Sequence, residues 1–328
     1  MVSSKDTMDI HRSKTRFKRL LQQIESWSIP ECDRSLILSF LKRRELEGMS
    51  YRQLLRYVDS LKRFIRIVIT PSQTTQTTQT TLNPSFKNVE EKDIENFLLS
   101  MEGLKPYTKQ KGWYCIKKFF EYIGRKDLFD NFKIRFKAAK LRPKEEIWTK
   151  EEMEKLIDAA DSLRDKAFIT VMTEGGYRIG EILTAKIKNI ELSDYGCKII
   201  VEGKTGWRNP LLIKSATLLK EFIKNKNKEQ LIFDFSYNQA LGLMKRLGKR
   251  AGVAKCINQQ IIRSSAATRD ASWLTDSQLC LKYGWRQGSK TSRIYVRMSG
   301  RDLDFAILKM NGIELTEEME KMRRMGIG

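Results

Sequence analysis

The chain has 328 residues, and its 62 Lys and Arg residues outnumber its 40 Asp and Glu residues, which gives a net charge of +22. Hydrophobic residues make up 41% of the chain, enough to form a core in each of the two domains that this length predicts. It contains a single histidine, His11. Histidine-based catalytic triads, histidine-rich zinc sites and HExxH metalloprotease helices are therefore excluded.

The five cysteines lie far apart in the sequence and form no CxxC pair. This usage indicates neither a zinc knuckle nor a small disulfide scaffold, and it is typical of a reducing cytoplasm. No apolar run approaches the roughly 20 residues that a membrane helix needs, and the amino terminus lacks the apolar core of a signal peptide. These observations predict a cytoplasmic protein.

The positive charge is spread over the whole chain. Residues 1–142 carry 29 basic and 16 acidic side chains, and residues 143–328 carry 33 basic and 24 acidic side chains. An anionic membrane could attract such a surplus, but the charge is not concentrated in one amphipathic helix or juxtamembrane cluster. The distribution favours nucleic acid as the partner, and both halves can contact phosphates.

The first half of the chain predicts a helical domain over residues 31–142, preceded by a basic extension over residues 1–30. Leu54, Val58 and Leu61 recur at helical spacing with arginine and lysine between them, so this helix has one apolar and one basic side. Similar patterns predict three more helices, at residues 36–46, 94–101 and 113–123. We expect these helices to form a small bundle.

Two polar segments interrupt the predicted helices. Residues 71–85, PSQTTQTTQTTLNPS, cannot bury apolar surface, so we expect a flexible insert. Residues 135–148 are basic, and Pro143 disfavours helix at the residue before it. We therefore predict an interdomain linker there. An extended basic linker between two basic domains suits a clamp around duplex DNA, although a merely solvated linker has the same composition.

The second half, residues 143–328, predicts a mostly helical domain with a small antiparallel sheet. Thr149 and Glu152 have the spacing of a capping box that starts a helix. The β-prone runs at 197–201 and 209–213 flank the turn EGKTGWR, and they predict a hairpin. The chain after this hairpin is again helical in pattern. The mixture is an α+β layout.

Arginines in special positions are the first candidates for chemistry, because positive side chains can stabilise a phosphodiester transition state. The run EGGYRIGEIL sets two glycines before Arg178 and then begins a helix. There the guanidinium of Arg178 could bind a phosphate beside the positive end of the helix dipole. Glu181 could brace that helix or an arginine. Taken alone, Arg178 is better explained as an ordinary surface arginine.

Two further runs place polar and aromatic residues in order along the second half. Gln260 and Arg263, in NQQIIRSSAATRD, are three residues apart and share a helix face. The run YGWRQGSKTSRIYVRMSGRD contains Trp285 and, ten residues later, Tyr295. Each motif alone is weak. GKTG is an ordinary hairpin turn, Trp285 could simply be packed in a core, and Tyr295 could be an aromatic residue on a helix face with its hydroxyl in water. Their order and separations are the informative feature.

The ordered set resembles the tyrosine recombinases, and in particular the integrases of archaeal plasmids and viruses. Arg178 matches the first arginine of that family, Arg263 the arginine of its His-x-x-Arg box, and Tyr295 its nucleophile. Lys204, in the GKTG turn, matches the lysine of the β-hairpin, and Trp285 matches a position that holds histidine or tryptophan. The resemblance covers most of the chain. It implies that the first half is a core-binding domain and the second half a catalytic domain.

The resemblance also implies a reaction. The hydroxyl of Tyr295 attacks the scissile phosphate, forms a 3′-phosphotyrosyl link and releases a 5′-hydroxyl. Arg178 and Arg263 supply positive charge to the transition state. Lys204 protonates the leaving oxygen, and Trp285 donates its indole N–H to a non-bridging oxygen and excludes water. The resemblance implies no metal, nucleotide or organic cofactor.

One position departs from the family pattern. Gln260 stands where the His-x-x-Arg box usually has histidine, and an amide can donate a hydrogen bond but does not titrate. This departure puts proton transfer at Gln260 in doubt without excluding the activity.

The implied partner is double-stranded DNA. The resemblance implies a monomer before DNA binding and four protomers on two duplexes during strand exchange. Residues 302–328 carry an apolar stripe beyond the nucleophile. In the family such a helix docks on the neighbouring protomer, and docking on its own domain is the alternative.

Three other functions compete with recombination. A type IB topoisomerase uses nearly the same chemistry but relaxes DNA without exchanging partners. A DNA-binding protein without activity leaves the ordered set of arginine, lysine, tryptophan and tyrosine unexplained. A metal-dependent nuclease needs clustered carboxylates, which the sequence does not show convincingly.

Overall fold

The computed structural model of the chain describes residues 12–69, 85–134, 144–203, 206–255, 257–299, 307 and 310–313. The described residues divide into two compact units. The N-terminal unit lies within residues 12–134, and the C-terminal unit begins at residue 144. Most of the linker predicted at residues 135–148 lies outside the described residues. None of the helices that the structure describes is long and apolar enough to span a membrane.

The N-terminal unit is helical over its described residues, as predicted. Helix α3 (Tyr51–Phe64) buries Leu54, Val58 and Leu61, which confirms the predicted apolar stripe. Its exposed basic side chains are Arg52, Arg56 and Lys62. A π-helical turn, Ile65–Ile69, continues α3 directly. The α-helices are α1 (Ser13–Ile24), α2 (Glu31–Leu46), α3 (Tyr51–Phe64), α4 (Glu91–Leu99) and α5 (Pro106–Tyr122).

Phenylalanine rings fill the centre of this bundle. The ring centroid of Phe64 on α3 lies 5.4 Å from that of Phe97 on α4 and 5.4 Å from that of Phe120 on α5. Phe86 and Phe119 form another pair at 4.8 Å. All five side chains are fully buried. Tilted and edge-to-face ring pairs stabilise a core beyond the area that they bury, so these contacts hold α3, α4 and α5 together.

Helix α1 belongs to the same core, although we predicted residues 1–30 as a basic extension. Phe17 and Ile24 of α1 are buried, and the ring of Phe17 lies 5.7 Å from the ring of Tyr51. The lysines and arginines between the apolar positions of α1 hide its helical stripe in the sequence. Burial of one apolar face is sufficient to hold even a strongly basic helix against a bundle.

A buried carboxylate holds the segment that begins at Ser85. Most of the predicted insert 71–85 lies outside the described residues. Where the description resumes, Ser85 Oγ and the backbone N–H of Phe86 each donate to Asp33 at 2.9 Å. Because Asp33 is fully buried, its carboxylate needs such hydrogen bonds to offset the loss of hydration.

The C-terminal unit is mostly helical, and it starts with the predicted capping box. The backbone N–H of Glu152 donates to Thr149 Oγ1, and that of Thr149 donates to Glu152 Oε2. The α-helices are α6 (Lys150–Asp158), α7 (Leu163–Gly175), α8 (Ile179–Thr184), α9 (Lys214–Ile223), α10 (Tyr237–Arg250), α11 (Gln259–Asp270), α12 (Asp276–Tyr283) and α13 (Lys290–Ser299).

Two small antiparallel sheets complete the unit. The strands are β1 (Ile190–Ser193), β2 (Gly196–Ile199), β3 (Val201–Gly203), β4 (Gly206–Arg208) and β5 (Leu211–Leu212). One sheet has the order β1-β2-β5, and β3 pairs with β4 in the other. The predicted runs 197–201 and 209–213 do pair, since Cys197 lies opposite Leu212, but the turn between them forms a hairpin of its own. Strand β1 was not predicted, because three of its four residues are exposed.

Helix α7 lies at the centre of the C-terminal unit. Residues 167–173 of α7 are buried on every side of the helix, as expected for a helix that is surrounded by other elements. The fold class is therefore mostly α with a small antiparallel sheet, as predicted. Since α7 is held on all sides, the chain that leaves its carboxyl-terminal end starts from a rigid position.

Candidate active site

The chain leaves α7 through a tight turn that sets Arg178 at the start of α8. Gly176 ends α7 in the left-handed conformation with φ +53°, which glycine adopts without strain. A Cβ at Gly176 would lie 2.4 Å from the ring of Tyr283, so the position also needs glycine for space. Arg178 is the N-cap residue of α8. The structure therefore places it at a helix entrance, as the EGGYR run predicts.

Glu181 binds two arginine side chains at once. Its carboxylate accepts hydrogen bonds from Arg178 Nη1 at 2.8 Å, from the backbone N–H of Arg178 at 2.8 Å and from Arg208 Nη2 at 2.6 Å. Burial alone would raise the pKa of Glu181, but the two arginines outweigh burial and lower the pKa below its ordinary value. The ionised carboxylate therefore braces both guanidinium groups.

Three guanidinium groups, which we call the arginine cluster, converge on the carboxyl-terminal end of α12. Each donates to one of three successive carbonyl groups: Arg208 to Lys282 at 2.5 Å, Arg263 to Tyr283, and Arg178 to Gly284 at 3.5 Å. The last carbonyls of a helix lack partners within the helix and form its negative dipole end. The end of α12 is therefore a shared acceptor for three arginines that lie far apart in the sequence.

Arg263 is the most deeply enclosed predicted site residue. Its side chain is buried on α11, and Nη1 also donates to the carbonyl of Gly176 at 2.5 Å. Burial, together with the like charges of Arg178 and Arg208, lowers the pKa of Arg263 to about 9. The guanidinium is still charged at neutral pH. An anion bound beside it would relieve the repulsion between the like charges, so the cluster is suited to a phosphate.

Three aromatic rings form a parallel stack next to the arginine cluster. The centroid of Trp285 lies 4.9 Å from that of Tyr283 and 5.0 Å from that of Tyr295, with interplanar angles of 19° and 5°. The guanidinium carbon of Arg263 lies 5.2 Å from the centroid of Tyr283 and 5.8 Å from that of Trp285. The stack holds the ring of Tyr295 in a defined plane near Arg263.

The innermost ring of the stack is anchored through its hydroxyl. Tyr283 is fully buried, and its hydroxyl donates to Asp270 Oδ2 at 2.6 Å. Burial raises the pKa of Tyr283 well above its ordinary value, so the hydroxyl keeps its proton and remains a donor. Lys282 forms an ion pair with the same carboxylate at 2.6 Å. These contacts position the stack from the inside of the unit.

The outer ring of the stack meets α11. The hydroxyl of Tyr295 lies 3.3 Å from Oγ of Ser264, and either oxygen can donate to the other. Ser264 follows Arg263 directly on α11. The phenol oxygen of Tyr295 is therefore held near the part of α11 that carries the buried arginine.

The structure brings together four of the six predicted site residues: Arg178, Arg263, Trp285 and Tyr295. Gln260 is exposed in the first turn of α11, three residues before Arg263. Lys204 lies outside the described residues. Its neighbour Gly203 is close to the cluster, because a Cβ there would lie 2.8 Å from Glu181 Oε1 and 3.4 Å from Arg178 Nη1. In the part of the chain that the structure describes, no three His, Cys, Asp or Glu side chains form a metal-binding group.

Sequence reasoning missed Arg208, Ser264 and Tyr283. For Tyr283 the sequence contains one usable signal, the glycine that follows it. Glycine after the last helical residue is typical of a helix end. Gly284 does end α12 in the left-handed conformation. Nothing in the sequence indicates that Arg208 or Ser264 has a special position, because arginine at a strand end and serine within a helix are both common.

Residues 146–300 match the phage integrase family. The tyrosine recombinase XerA of Saccharolobus solfataricus is 26% identical over 198 residues, which cover 60% of this chain and 65% of that protein. The chain therefore spans less than two thirds of the length of this relative. The tyrosine recombinase XerA of Pyrococcus horikoshii is 26% identical over 213 residues, which cover 61% of this chain and 72% of that protein.

Solved structures share the fold. The XerH site-specific recombinase bound to its difH substrate, in a pre-cleavage complex, has a TM-score of 0.58 and 22% identity, and the match covers 94% of this chain and 97% of that chain. A lambda integrase tetramer bound to a Holliday junction has a TM-score of 0.63 and 16% identity, and the match covers 82% of this chain and 78% of that chain.

The buried ion pair between Glu181 and Arg208 allows a prediction about the stability of the protein. Replacing Glu181 by Gln leaves two guanidinium groups without their counter-ion, so we expect the free energy of unfolding at pH 7 to fall by about 3–5 kcal/mol. The lowered pKa means that this contribution is present above the unfolded pKa of Glu, about 4.3, and is lost as the pH falls through the folded pKa. The difference between wild type and Glu181→Gln should therefore shrink in acid.

Urea denaturation at pH 7 and in steps below pH 5 measures this difference. The matched control is Glu229→Gln, because Glu229 also pairs with two basic residues, Lys186 and Lys188, but on the surface. We expect this control to change the unfolding free energy little at any pH. A Glu181→Gln protein as stable as wild type at pH 7 would contradict the bracing role.

Proposed function

We propose that this chain is a tyrosine recombinase and acts as a site-specific DNA recombinase, because residues 146–300 match the phage integrase family and the XerA recombinases are similar to it in sequence. It cuts and rejoins DNA strands through a 3′-phosphotyrosyl intermediate and so inserts or removes a mobile element. We also propose that the reaction takes place in the cytoplasm, where DNA is present. The five separated cysteines, which form no CxxC pair, are in agreement with that compartment. We propose that residues 31–142, together with helix α1, form the core-binding domain and that residues 143–328 form the catalytic domain.

A single observation carries this proposal. Arg178, Arg263 and Tyr295 come from three different helix regions, yet all three lie around the end of α12. A phosphate in this position would contact the arginine cluster on one side and the phenol oxygen on the other. This is the arrangement that attack on a phosphodiester requires, because charge develops on the phosphoryl oxygens as the bond to the nucleophile forms.

The proposed reaction is a transesterification. Tyr295 Oη gives its proton to solvent and forms a bond to phosphorus, while the bond from phosphorus to the 5′ oxygen breaks. Arg178 and Arg263 donate hydrogen bonds to the non-bridging oxygens, and their charge offsets the negative charge of the pentavalent state. Lys204 gives a proton to the 5′ oxygen, which an ammonium can do and a guanidinium cannot. Attack by a 5′-hydroxyl on the phosphotyrosyl bond reverses the reaction.

The aromatic stack has two proposed tasks. The ring of Trp285 holds Tyr295 in one plane, which limits the positions that the nucleophile can occupy. Its indole N–H, at the edge of the same ring, donates to a non-bridging oxygen when DNA is bound. Both tasks favour attack by the tyrosine over attack by water.

DNA is the proposed partner of both units. The exposed face of α3 carries Arg52, Arg56 and Lys62, and the net charge of each half is positive. Such basic surfaces contact phosphates without reading sequence. Exchange of strands between two duplexes requires four active sites, so we propose a monomer that assembles into a tetramer on DNA. The alternatives for residues 302–328, docking on a neighbouring protomer or on the same unit, lie mostly outside the described residues.

The experiments described below also distinguish a recombinase from two other functions. A type IB topoisomerase would form the covalent adduct but would give no recombinant joints between two duplexes. A DNA-binding protein without activity would form no adduct. The first experiment is incubation with genomic and plasmid DNA fragments, denaturation to trap covalent adducts, and sequencing of the attached DNA and of any new joints.

We expect Tyr295→Phe to bind DNA normally but to form no covalent adduct and no recombinant joint, because the nucleophilic oxygen is missing while the ring remains. The matched control is Tyr195→Phe, since Tyr195 is an exposed tyrosine on a turn of the sheet. An adduct formed by the Tyr295 variant would show that another residue attacks.

The proposed reaction uses no metal ion, so excess EDTA should leave cleavage by the wild type largely intact. Loss of cleavage in EDTA, with recovery when Mg²⁺ is added, would favour a nuclease.

We expect Lys204→Ala to be rescued by a better leaving group. A substrate with sulfur in place of the 5′ bridging oxygen needs no general acid, because a thiolate leaves without protonation. The variant should cleave the ordinary substrate much more slowly than wild type and the sulfur substrate at nearly the wild-type rate. Lys198→Ala, an exposed lysine on β2, is the control and should behave as wild type with both substrates. A defect that persists with sulfur would contradict the assignment of Lys204 as the acid.

Gln260 tests the departure from the family pattern. If its amide donates one hydrogen bond to a non-bridging oxygen, Gln260→Ala should slow single-turnover cleavage by roughly ten- to a hundredfold, and Gln260→His should retain or raise the rate. Arg178→Ala and Arg263→Ala should lose more, because they also remove charge.

The matched control for Gln260 is its neighbour Gln259, whose amide donates to the hydroxyl of Tyr237 at 3.0 Å. We expect Gln259→Ala to cleave as wild type, with DNA affinity measured for every variant. Wild-type cleavage by Gln260→Ala, while both arginine variants fail, would mean that Gln260 has no part in the reaction.

A further inference from the structure

Ser264 makes the one contact to the phenol oxygen of Tyr295 that the structure describes in the C-terminal unit. Its Oγ lies 3.3 Å from Tyr295 Oη, and the serine side chain is buried, with 4% of its surface exposed. The serine lies on α11 and the tyrosine on α13, so this contact joins two helices. The contact involves Tyr295 Oη, which is the nucleophile in the proposed function.

The hydroxyl of Ser264 is used differently from its neighbours on the same helix. Serine and threonine within helices usually donate to the carbonyl four residues earlier. Ser265 does so at 2.9 Å to Ile261, and Thr268 does so at 3.0 Å to the carbonyl of Ser264 itself. Ser264 Oγ instead points across to α13. A local helical contact therefore does not account for its orientation.

The distance between the two oxygens suits a contact that strengthens during the reaction. At 3.3 Å it is longer than the usual spacing of two hydroxyl groups, which is about 2.7–2.8 Å. Hydrogen bonds to an oxygen that carries negative charge are shorter and about twice as strong as those to a neutral oxygen. Since the ring of Tyr295 is held by Trp285, a small movement of the serine rotamer closes the gap without moving the nucleophile.

We propose that Ser264 is a catalytic residue, whose hydroxyl donates a hydrogen bond to Tyr295 Oη as the phenol gives its proton to solvent and attacks phosphorus. This inference rests on the proposed function. The serine keeps its own proton throughout, so it stabilises the forming phenolate and is not the base. Asp276 on α12 lies 4.0 Å from Arg293 on α13. The charged residues on the three helices around the phenol are Arg263, Arg269 and Asp270 on α11, Asp276 and Lys282 on α12, and Lys290, Arg293 and Arg297 on α13. Arg263, next to Ser264, adds to the same effect.

Fluorine NMR of the full chain, with difluorotyrosine as the only fluorinated residue at position 295, tests the contact without DNA. We expect the pH midpoint of the fluorotyrosine titration to be higher in Ser264→Ala than in the wild type, because the charged oxygen loses a donor. Ser264→Thr, which keeps a hydroxyl, should restore the wild-type midpoint. The matched control is Ser265→Ala, since Ser265 is an equally buried serine that accepts from the backbone N–H of Trp148. It should change thermal stability and leave the midpoint unchanged.

Single-turnover cleavage of the DNA recovered by adduct trapping tests the catalytic role. We expect Ser264→Ala to be roughly ten- to a hundredfold slower than wild type. The defect should persist with the 5′ sulfur substrate, because Ser264 acts on the nucleophile and not on the leaving group. Ser264→Thr should recover most of the rate. Thermal denaturation of each variant shows whether it is folded.

The outcomes separate the two proposals. If the wild type forms no adduct, the proposed function fails, and the role of Ser264 fails with it. If the wild type is active but Ser264→Ala has the wild-type midpoint and cleavage rate, the assignment of Ser264 alone is overturned. A slow Ser264→Ala protein that the sulfur substrate rescues would also overturn it, because the serine would then act on the leaving oxygen.

Discussion

The candidate active site holds three arginine side chains close together, and the end of helix α12 makes this possible. Three successive backbone carbonyls accept hydrogen bonds from Arg208, Arg263 and Arg178. Glu181 balances the charge of two of these arginines. Buried guanidinium groups without such acceptors would be strongly destabilising. The turn after α7, strand β4 and helix α11 are all tied to this one point, so the local fold and the charge arrangement depend on each other.

The same helix end connects the arginine cluster to Tyr295, the proposed nucleophile. Gly284 turns the chain out of α12, and the next residue, Trp285, begins the stack that positions Tyr295. The side of the stack that faces inward is anchored by Tyr283 and Asp270. The arginine donors and the proposed nucleophile, Tyr295, are both positioned by the end of α12, so little reorganisation is needed when substrate binds. Such preorganisation is a main source of catalysis by polar groups. The proposed reaction therefore needs no large movement within the C-terminal unit.

The sequence predicted those elements whose causes are visible in residue type. Helix α3 follows from its apolar spacing, and Arg178, Trp285 and Tyr295 follow from their order within one family pattern. Helix α1 was missed because its basic residues dilute the apolar stripe that Phe17 and Ile24 belong to. Most of the supporting contacts of the site could not be predicted at all. A backbone carbonyl accepts a hydrogen bond whatever its side chain is, so the acceptor role of residues 282–284 leaves no mark in the sequence. Arg208 and Ser264 become significant only through their partners.

The three arginines of the cluster share hydrogen-bond acceptors at the end of α12. This sharing also determines how the effects of two arginine substitutions on stability combine. Independent sites have additive effects on stability, whereas residues in one hydrogen-bond network show coupling energies of about 0.5–3 kcal/mol. Arg178 and Arg208 share Glu181, and their carbonyl acceptors are separated by a single residue. Loss of one arginine frees a carboxylate oxygen and a carbonyl that the other can approach. The three positions therefore form one energetic unit, in which the effect of a second substitution depends on the first.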